Sequence, residues 1–293
     1  MERYFSPRAV AAALGVSESS LKRWVDEGRI AADRTAGGHR RITQTGLLSY
    51  LRKEGVAVVN PSAIGYATET DGTEGAEVIQ DAIASGDGDR LRESLLRGFM
   101  MGQTVADLCD GPIRKGLHLV GERWREGDYG IAEEHRAVEA VLHALYGLRS
   151  ELPEPSMVAP LAMGGAGEGD PYRVPSLMVA LVLTSVGWRV ENLGADLPMG
   201  ALREAMTREK PQLVWLSFSE RGALRRFLQR RQGFLTHAGE IGCGVVLGGR
   251  AISSTREWEE DVGRLHLLPD MRSLAVFAQG MIAMLSTRGS LGK

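Results

Sequence analysis

Apolar residues in the first sixty positions recur at helical spacing in short bursts. Val10, Ala13 and Leu14 follow Ser6-Pro7, an N-cap with proline at the first helical position, and Gly15 breaks the run. Ser17 caps a second burst whose inner face is Leu21, Trp24 and Val25. Glu18, Ser19, Lys22 and Arg23 face outward, and Gly28 ends it. Residues 35–41, Thr-Ala-Gly-Gly-His-Arg-Arg, then place two glycines at a tight reversal and bring His39, Arg40 and Arg41 out on its far side. A helix from Gln44 to Glu54 closes the segment. Two short helices about a glycine turn, followed by a basic hairpin, predict a winged helix-turn-helix over residues 1–60.

Residues 61–75 are polar, glycine-bearing and without period, which predicts a linker. Residues 76–152 predict four helices, broken at Gly86-Asp87-Gly88, Met101-Gly102-Gln103 and Gly127-Asp128. Leu91, Leu95, Leu96 and Phe99 share one face, as do Val105, Leu108, Ile113, Leu117, Val120 and Trp124. The last helix carries Ile131, Val138, Val141, Leu142 and Leu145, with Glu134 and His135 in its first turn. Short connections favour an antiparallel bundle, whose last hairpin would bring Trp124 close to Glu134 and His135. Over residues 153–293 strands and helices alternate: strands at 157–164, 188–194, 212–219, 243–248 and 265–269, helices at 174–186, 198–208, 220–237 and 271–287. That alternation predicts a doubly wound parallel sheet, so the whole chain reads as multi-domain, α followed by α/β. In such a sheet ligands lie outside the carboxyl ends of the strands. The loops there are glycine-rich residues 164–170, Ser217-Phe218-Ser219 and Gly248-Gly249-Arg250, with no Gly-x-Gly-x-x-Gly and no Walker lysine to suggest a nucleotide.

Charge sharpens the division. The chain of 293 residues has a net charge of −2, yet the first sixty residues hold ten Lys/Arg against six Asp/Glu, leaving 25 against 31 in the remainder. Basic charge is concentrated on the predicted DNA-reading segment. The two cysteines, Cys109 and Cys243, lie far apart among apolar neighbours and indicate core thiols in a reducing cytoplasm rather than a disulfide or metal site. No signal-peptide run and no long apolar stretch is visible, so a cytoplasmic protein without membrane association is expected.

Residues 3–52 resemble the DNA-binding domain of the MerR family, and Thr-Ala-Gly-Gly-His-Arg-Arg is among that family's more specific local signatures. The resemblance implies a double-stranded DNA operator as partner. It places Ser19, Lys22 and Arg23 toward the major groove and Thr35, His39, Arg40 and Arg41 on the backbone. One such domain offers a small interface, so a homo-oligomer, dimer or tetramer, is expected on repeated half-sites.

Trp124, nine intervening residues, then Glu134-His135 resembles the helical cap of cobalamin-binding modules in light-sensing MerR-type regulators of the CarH kind. There the cluster covers the upper face of the corrin and its adenosyl group. The alternating segment resembles the cobalamin-binding Rossmann-like domain of methionine synthase, corrinoid methyltransferases and the CarH group. Its hallmark is Asp/Glu-x-His-x-x-Gly, in which the histidine is the lower cobalt ligand and the glycine leaves room for the nucleotide tail. Here the motif reads Asp170-Pro171-Tyr172-Arg173-Val174-Pro175, with Tyr172 at the histidine position and Pro175 at the glycine position. The serine motif is partly kept as Ser217-Phe218-Ser219, and Gly248-Gly249 is intact. A phenol is a poor cobalt ligand beside imidazole. Arg125 likewise follows the tryptophan where the light-sensing relatives carry a second histidine.

The resemblance implies a DNA-binding regulator with a ligand roof at Trp124, Glu134 and His135 and a floor at Asp170, Tyr172, Ser217, Ser219, Gly248 and Gly249. Three ligand states stay open: cobalamin, including adenosylcobalamin, held without the histidine; another flat tetrapyrrole such as a haem or bilin; or none. A corrinoid-carrying enzyme subunit is the alternative function. No nucleophile-base constellation or metal-ligand cluster offers an active site, so a non-enzyme is expected.

Overall fold

The computed structural model describes residues 3–35, 37–66, 72–127, 130–253 and 265–291. They form two compact units, Met1–Pro153 and Glu154–Lys293.

The first unit opens with β1 (Tyr4–Phe5), α1 (Pro7–Leu14), α2 (Glu18–Asp26), β2 (Ala32–Arg34), β3 (Arg40–Thr43) and α3 (Gln44–Glu54). Both predicted caps form: the Ala9 N–H donates to Ser6 Oγ at 3.1 Å and the Ser20 N–H to Ser17 Oγ at 3.1 Å. Gly15 closes α1 at φ +67°, where a side chain would be strained. The strands pair antiparallel in the order β1-β3-β2, and Val10, Leu21, Ile30, Ile42, Leu47 and Leu48 make the core beneath them.

Residues 61–66, expected within a linker, fold back instead. Pro61–Ile64 is a 3-10 turn, and Ile64 and Tyr66 are buried. The Tyr66 hydroxyl donates to Gln44 Oε1 at 3.0 Å, and the Arg3 guanidinium lies 4.6 Å from the Tyr66 ring centre. Just before the turn, the Val59 and Asn60 N–H groups donate to the Ala13 carbonyl and the Val58 N–H to Met100. Residues 67–71, also within that expected linker, lie outside the described residues.

Next come α4 (Gly72–Ser85), α5 (Gly88–Met100), α6 (Val105–Leu108), a π turn at Cys109–Ile113, α7 (Arg114–Glu126) and α8 (Ile131–Glu151). The segment α6 to α7 is the predicted third helix, widened where Pro112 supplies no N–H for the regular ladder. Leu91, Leu95, Leu108, Ile113, Val141 and Leu145 are buried between the helices.

The second unit holds β4 (Leu161–Ala166), β5 (Arg189–Asn192), β6 (Leu213–Ser217), β7 (Gly244–Gly248) and β8 (Leu265–Leu267), all parallel, in the order β5-β4-β6-β7-β8. Its helices are α9 (Arg173–Ser185), α10 (Met199–Glu209), α11 (Arg221–Glu240), α12 (Arg250–Ser253) and α13 (Met271–Leu291). The first strand begins after Pro160, and Met157 and Val158, expected within it, are exposed. Met163, Val214, Leu216, Val245 and Leu247 pack with Leu202, Phe227 and Phe234 of α10 and α11. Alternate positions such as Trp215 turn to the opposite face, toward α9. Strand order reverses between β4 and β6, so the loops after these strands and β7 flank the switch point.

Candidate functional site

The DNA-reading residues occupy α2 and the β2–β3 hairpin. Ser19, Lys22 and Arg23 lie on the exposed side of α2. Lys22 pairs with Glu18 at 2.7 Å and Arg23 with Glu27 at 3.8 Å, and the Lys22 ammonium bonded to Glu18 draws that carboxyl below its usual range. Exposed pairs of this kind hold little energy and can be exchanged for phosphate. On the inner side Trp24 stacks on Tyr50 at 5.5 Å, and Arg29 lies 5.1 Å from the indole while pairing with Glu54 at 2.8 Å.

The hairpin gives two of the residues expected on DNA contacts within the protein. Thr35, expected on DNA, shapes the turn: its Oγ1 accepts the His39 N–H at 3.1 Å, its N–H donates to the His39 carbonyl, and its carbonyl accepts the Gly38 N–H. Arg40, expected on phosphate, is held by Asp26 of α2, with Nη2 at 2.7 and 2.8 Å and Nε at 3.1 Å from the carboxylate oxygens. Arg34 approaches the same carboxylate at 3.7 Å. Asp26 thereby fastens the wing to α2, a contact the sequence pattern does not disclose. His39 and Arg41 are exposed, and Arg41 lies 4.6 Å from the Tyr4 ring centre.

In the bundle, Trp124 ends α7 and Glu134 and His135 begin α8. Trp124 is 48% exposed and Ile131 65%, so the apolar periodicity runs past the buried core onto the bundle surface. Glu134 is half-buried and His135 exposed. Arg125 folds back, its Nε donating to the Gly121 carbonyl at 3.3 Å.

At the carboxyl edge of the sheet, Ala166, Ser217 and Gly248 stand in register at the ends of β4, β6 and β7. Asp170, expected in the ligand floor, is 0% exposed. Its carboxylate accepts backbone N–H groups from Tyr172 at 3.1 Å, Glu220 at 2.9 Å and Ser219. It is a structural anion joining the loop after β4 to the start of α11. Gly249 is also structural: at φ +104° it lies so near Phe218 that a methyl group would overlap the Phe218 carbonyl. Tyr172 is 39% exposed at the start of α9. The Arg250 guanidinium lies 4.9 Å from its ring centre, and Arg250 Nε donates to the Ser219 carbonyl at 3.1 Å. The sequence pattern places Arg250 in the ligand-edge loop Gly248-Gly249-Arg250 but gives it no role there. Ser217 Oγ is buried without a hydrogen-bond partner among the described residues, the residue being 3% exposed.

A corrinoid bound as the resemblance implies needs an imidazole at position 172 and a channel beside the start of α9. The structure offers a phenol covered by Arg250, and the interior beside α9 is filled. Trp215 is fully buried, and its Nε1–H donates to Ser176 Oγ at 3.1 Å while that hydroxyl donates to Asn192 Oδ1 at 2.9 Å. A methyl group on Gly164 would overlap the Trp215 carbonyl. Pro175 stands in the first turn of α9. These residues do not fit a corrinoid that surrenders its own base to a histidine and buries its tail; they are compatible with one that keeps its base. Among the described residues no group of three or more His, Cys, Asp or Glu could hold a metal ion, and no helix is long and apolar enough to cross a membrane.

Comparison with known proteins defines the class. Residues 4–55 match the helix-turn-helix domain family and residues 76–148 the B12 binding domain family, so the chain has the makeup of a DNA-binding regulator with a B12-binding module. It is 27% identical over 231 residues to the HTH-type transcriptional repressor CarA of Myxococcus xanthus, covering 75% of this chain and 78% of that protein. It is 24% identical to trimethylamine corrinoid protein 1 of Methanosarcina mazei, covering 63% and 86%. The monomethylamine corrinoid protein of Methanosarcina barkeri superposes with a TM-score of 0.58 at 18% identity, covering 72% of this chain and all of that one, which shows the shared fold.

Proposed function

We propose that this protein is a cytoplasmic, homo-oligomeric transcriptional regulator that binds operator DNA through α2 and the wing and senses a corrinoid without a protein imidazole on cobalt. The observation that carries the reading is the join of a helix-turn-helix domain to a B12-binding module in one chain; the motif resemblance puts Tyr172, stacked with Arg250, at the position of the ligand histidine. In the first unit Trp124, Glu134 and His135 are the residues assigned to ligand contact, and in the second unit Tyr172 and the loops after β6 and β7. A bound corrinoid would supply a large rigid ring whose occupancy biases the regulator between two states. With Arg125 bonded to its own helix and Tyr172 on Arg250, the two positions that trap the illuminated product in the resembled family hold no imidazole. The light cycle of the CarH kind is therefore not used.

The test is a mobility-shift titration of the protein's own promoter fragment, with and without cobalamin, in darkness and after green illumination. The reading expects specific DNA binding whose midpoint shifts on adding cobalamin and does not depend on light. Loss of DNA binding specific to illumination with adenosylcobalamin would overturn the light assignment. An identical midpoint with and without cobalamin would overturn the sensing assignment.

A further inference from the structure

We infer that the carboxyl edge of the sheet is a recognition site for the nucleotide loop of a base-on corrinoid, with Arg250 and Arg221 receiving its phosphodiester and Tyr172 its benzimidazole. This rests on the corrinoid reading above and specifies which form of the ligand is selected. A corrin ring is rimmed with neutral amides; the phosphodiester that links it to its base is the ligand's one fixed anion.

Three observations converge on that chemistry. First, the interior slot beside α9 is closed by the Trp215–Ser176–Asn192 chain, whose members satisfy one another, so a nucleotide loop has no seat in the core. Second, the edge has unusual charge. Each of the three helices that start there, α9, α11 and α12, has arginine as its first residue: Arg173, Arg221 and Arg250. Cations are unfavourable at helix starts, and the acids beside the starts of α9 and α11 are Asp170, bonded to the Tyr172 and Glu220 N–H groups, and Glu220 itself. The acids nearby are engaged: Asp170 is consumed by three backbone N–H groups, Glu168 lies 3.7 Å from Arg230, and Glu220 lies 3.8 Å from Arg250. The exposed Arg250 is anchored by Nε to the Ser219 carbonyl, and its Nη2 is held only loosely, 3.8 Å from Glu220, a pairing that an incoming anion can displace. Third, the buried Ser217 hydroxyl at the end of β6 has no partner among the described residues. It shares the sheet face of Trp215, beneath the edge at which α9 begins with Arg173 directly after Tyr172, and is an unmet polar group under that edge. Tyr172 completes the set with a half-exposed ring already stacked on a guanidinium, a platform for a second aromatic ring.

Full-length protein should be titrated with cobalamin and with cobinamide, which lacks the nucleotide loop, by equilibrium dialysis. The EPR spectrum of bound cob(II)alamin carrying 15N-labelled benzimidazole should be recorded in parallel. Cobalamin is expected to bind at least about tenfold more tightly than cobinamide, the worth of one charge-assisted contact. Arg221→Met with Arg250→Met should bring the ratio of the two affinities close to one, and the EPR splitting should follow the label. Equal affinity for the two ligands, a preference that survives the double substitution, or a splitting indifferent to the label would overturn the inference while leaving the corrinoid reading intact. Failure of both ligands to bind would overturn both.

Discussion

Asp26→Asn separates the wing from α2 with little change of shape. In the structure the Asp26 carboxylate takes both a bidentate contact from Arg40, whose side chain is 25% exposed, and a looser approach from Arg34, 67% exposed. Arg34 is already mostly in solvent, so the substitution chiefly releases Arg40. The lost pair is partly buried and well aligned, which sets the stability cost at about 0.5–1.5 kcal/mol. On DNA the effect runs the other way. One additional phosphate contact steepens the salt dependence of log K by about 0.9, which is roughly a 3.5-fold larger loss of affinity between 50 and 200 mM salt. Fluorescence anisotropy on a non-operator duplex across that range should show Asp26→Asn binding more tightly at low salt and falling more steeply. An unchanged or shallower slope would refute the reasoning, because it would mean that the Arg40 guanidinium does not reach phosphate even when free.

Other outcomes follow from the second unit. Ser176→Ala removes the acceptor of the buried Trp215 N–H and the donor to Asn192, and should destabilise the unit by about 1–3 kcal/mol in urea unfolding. Gly249→Ala places a methyl group against the Phe218 carbonyl at positive φ; loss of soluble protein, or a fall in urea midpoint larger than that of Ser176→Ala, is expected. Burial holds the His266 imidazole below its ordinary value, beside Phe277 at 4.5 Å. The unfolded chain therefore binds a proton that the folded one refuses, and stability should decline as pH falls below about 6.5. His266→Leu should flatten that limb of the pH–stability curve.

Much of this architecture is legible in the sequence because it depends on local rules. Ser6-Pro7 and Ser17 announce helix starts by chemistry that acts within three residues, and both form the predicted caps. Apolar runs interleaved with helices at 157–287 fix a parallel sheet because its strands must be buried on both sides. What escapes notice is long-range. Asp26 meets Arg40 only because a hairpin returns to α2, and Asp170, read as a ligand contact by its motif position, becomes a backbone anchor because two loops close over it. Residues 61–66 read as linker because Pro61, Gly65 and the polar run after Tyr66 leave Ile64 and Tyr66 without a period, and the seats of those two side chains are supplied by distant parts of the unit.

The central claim, a DNA-binding regulator that holds a corrinoid without a protein imidazole, is tested most directly by the absorption spectrum of the purified protein after incubation with hydroxocobalamin and removal of free ligand. The account predicts a corrinoid spectrum that travels with the protein and keeps the form of cobalamin coordinated by its own base. A colourless protein, or a spectrum shifted to histidine coordination that persists in Tyr172→Phe, would contradict it.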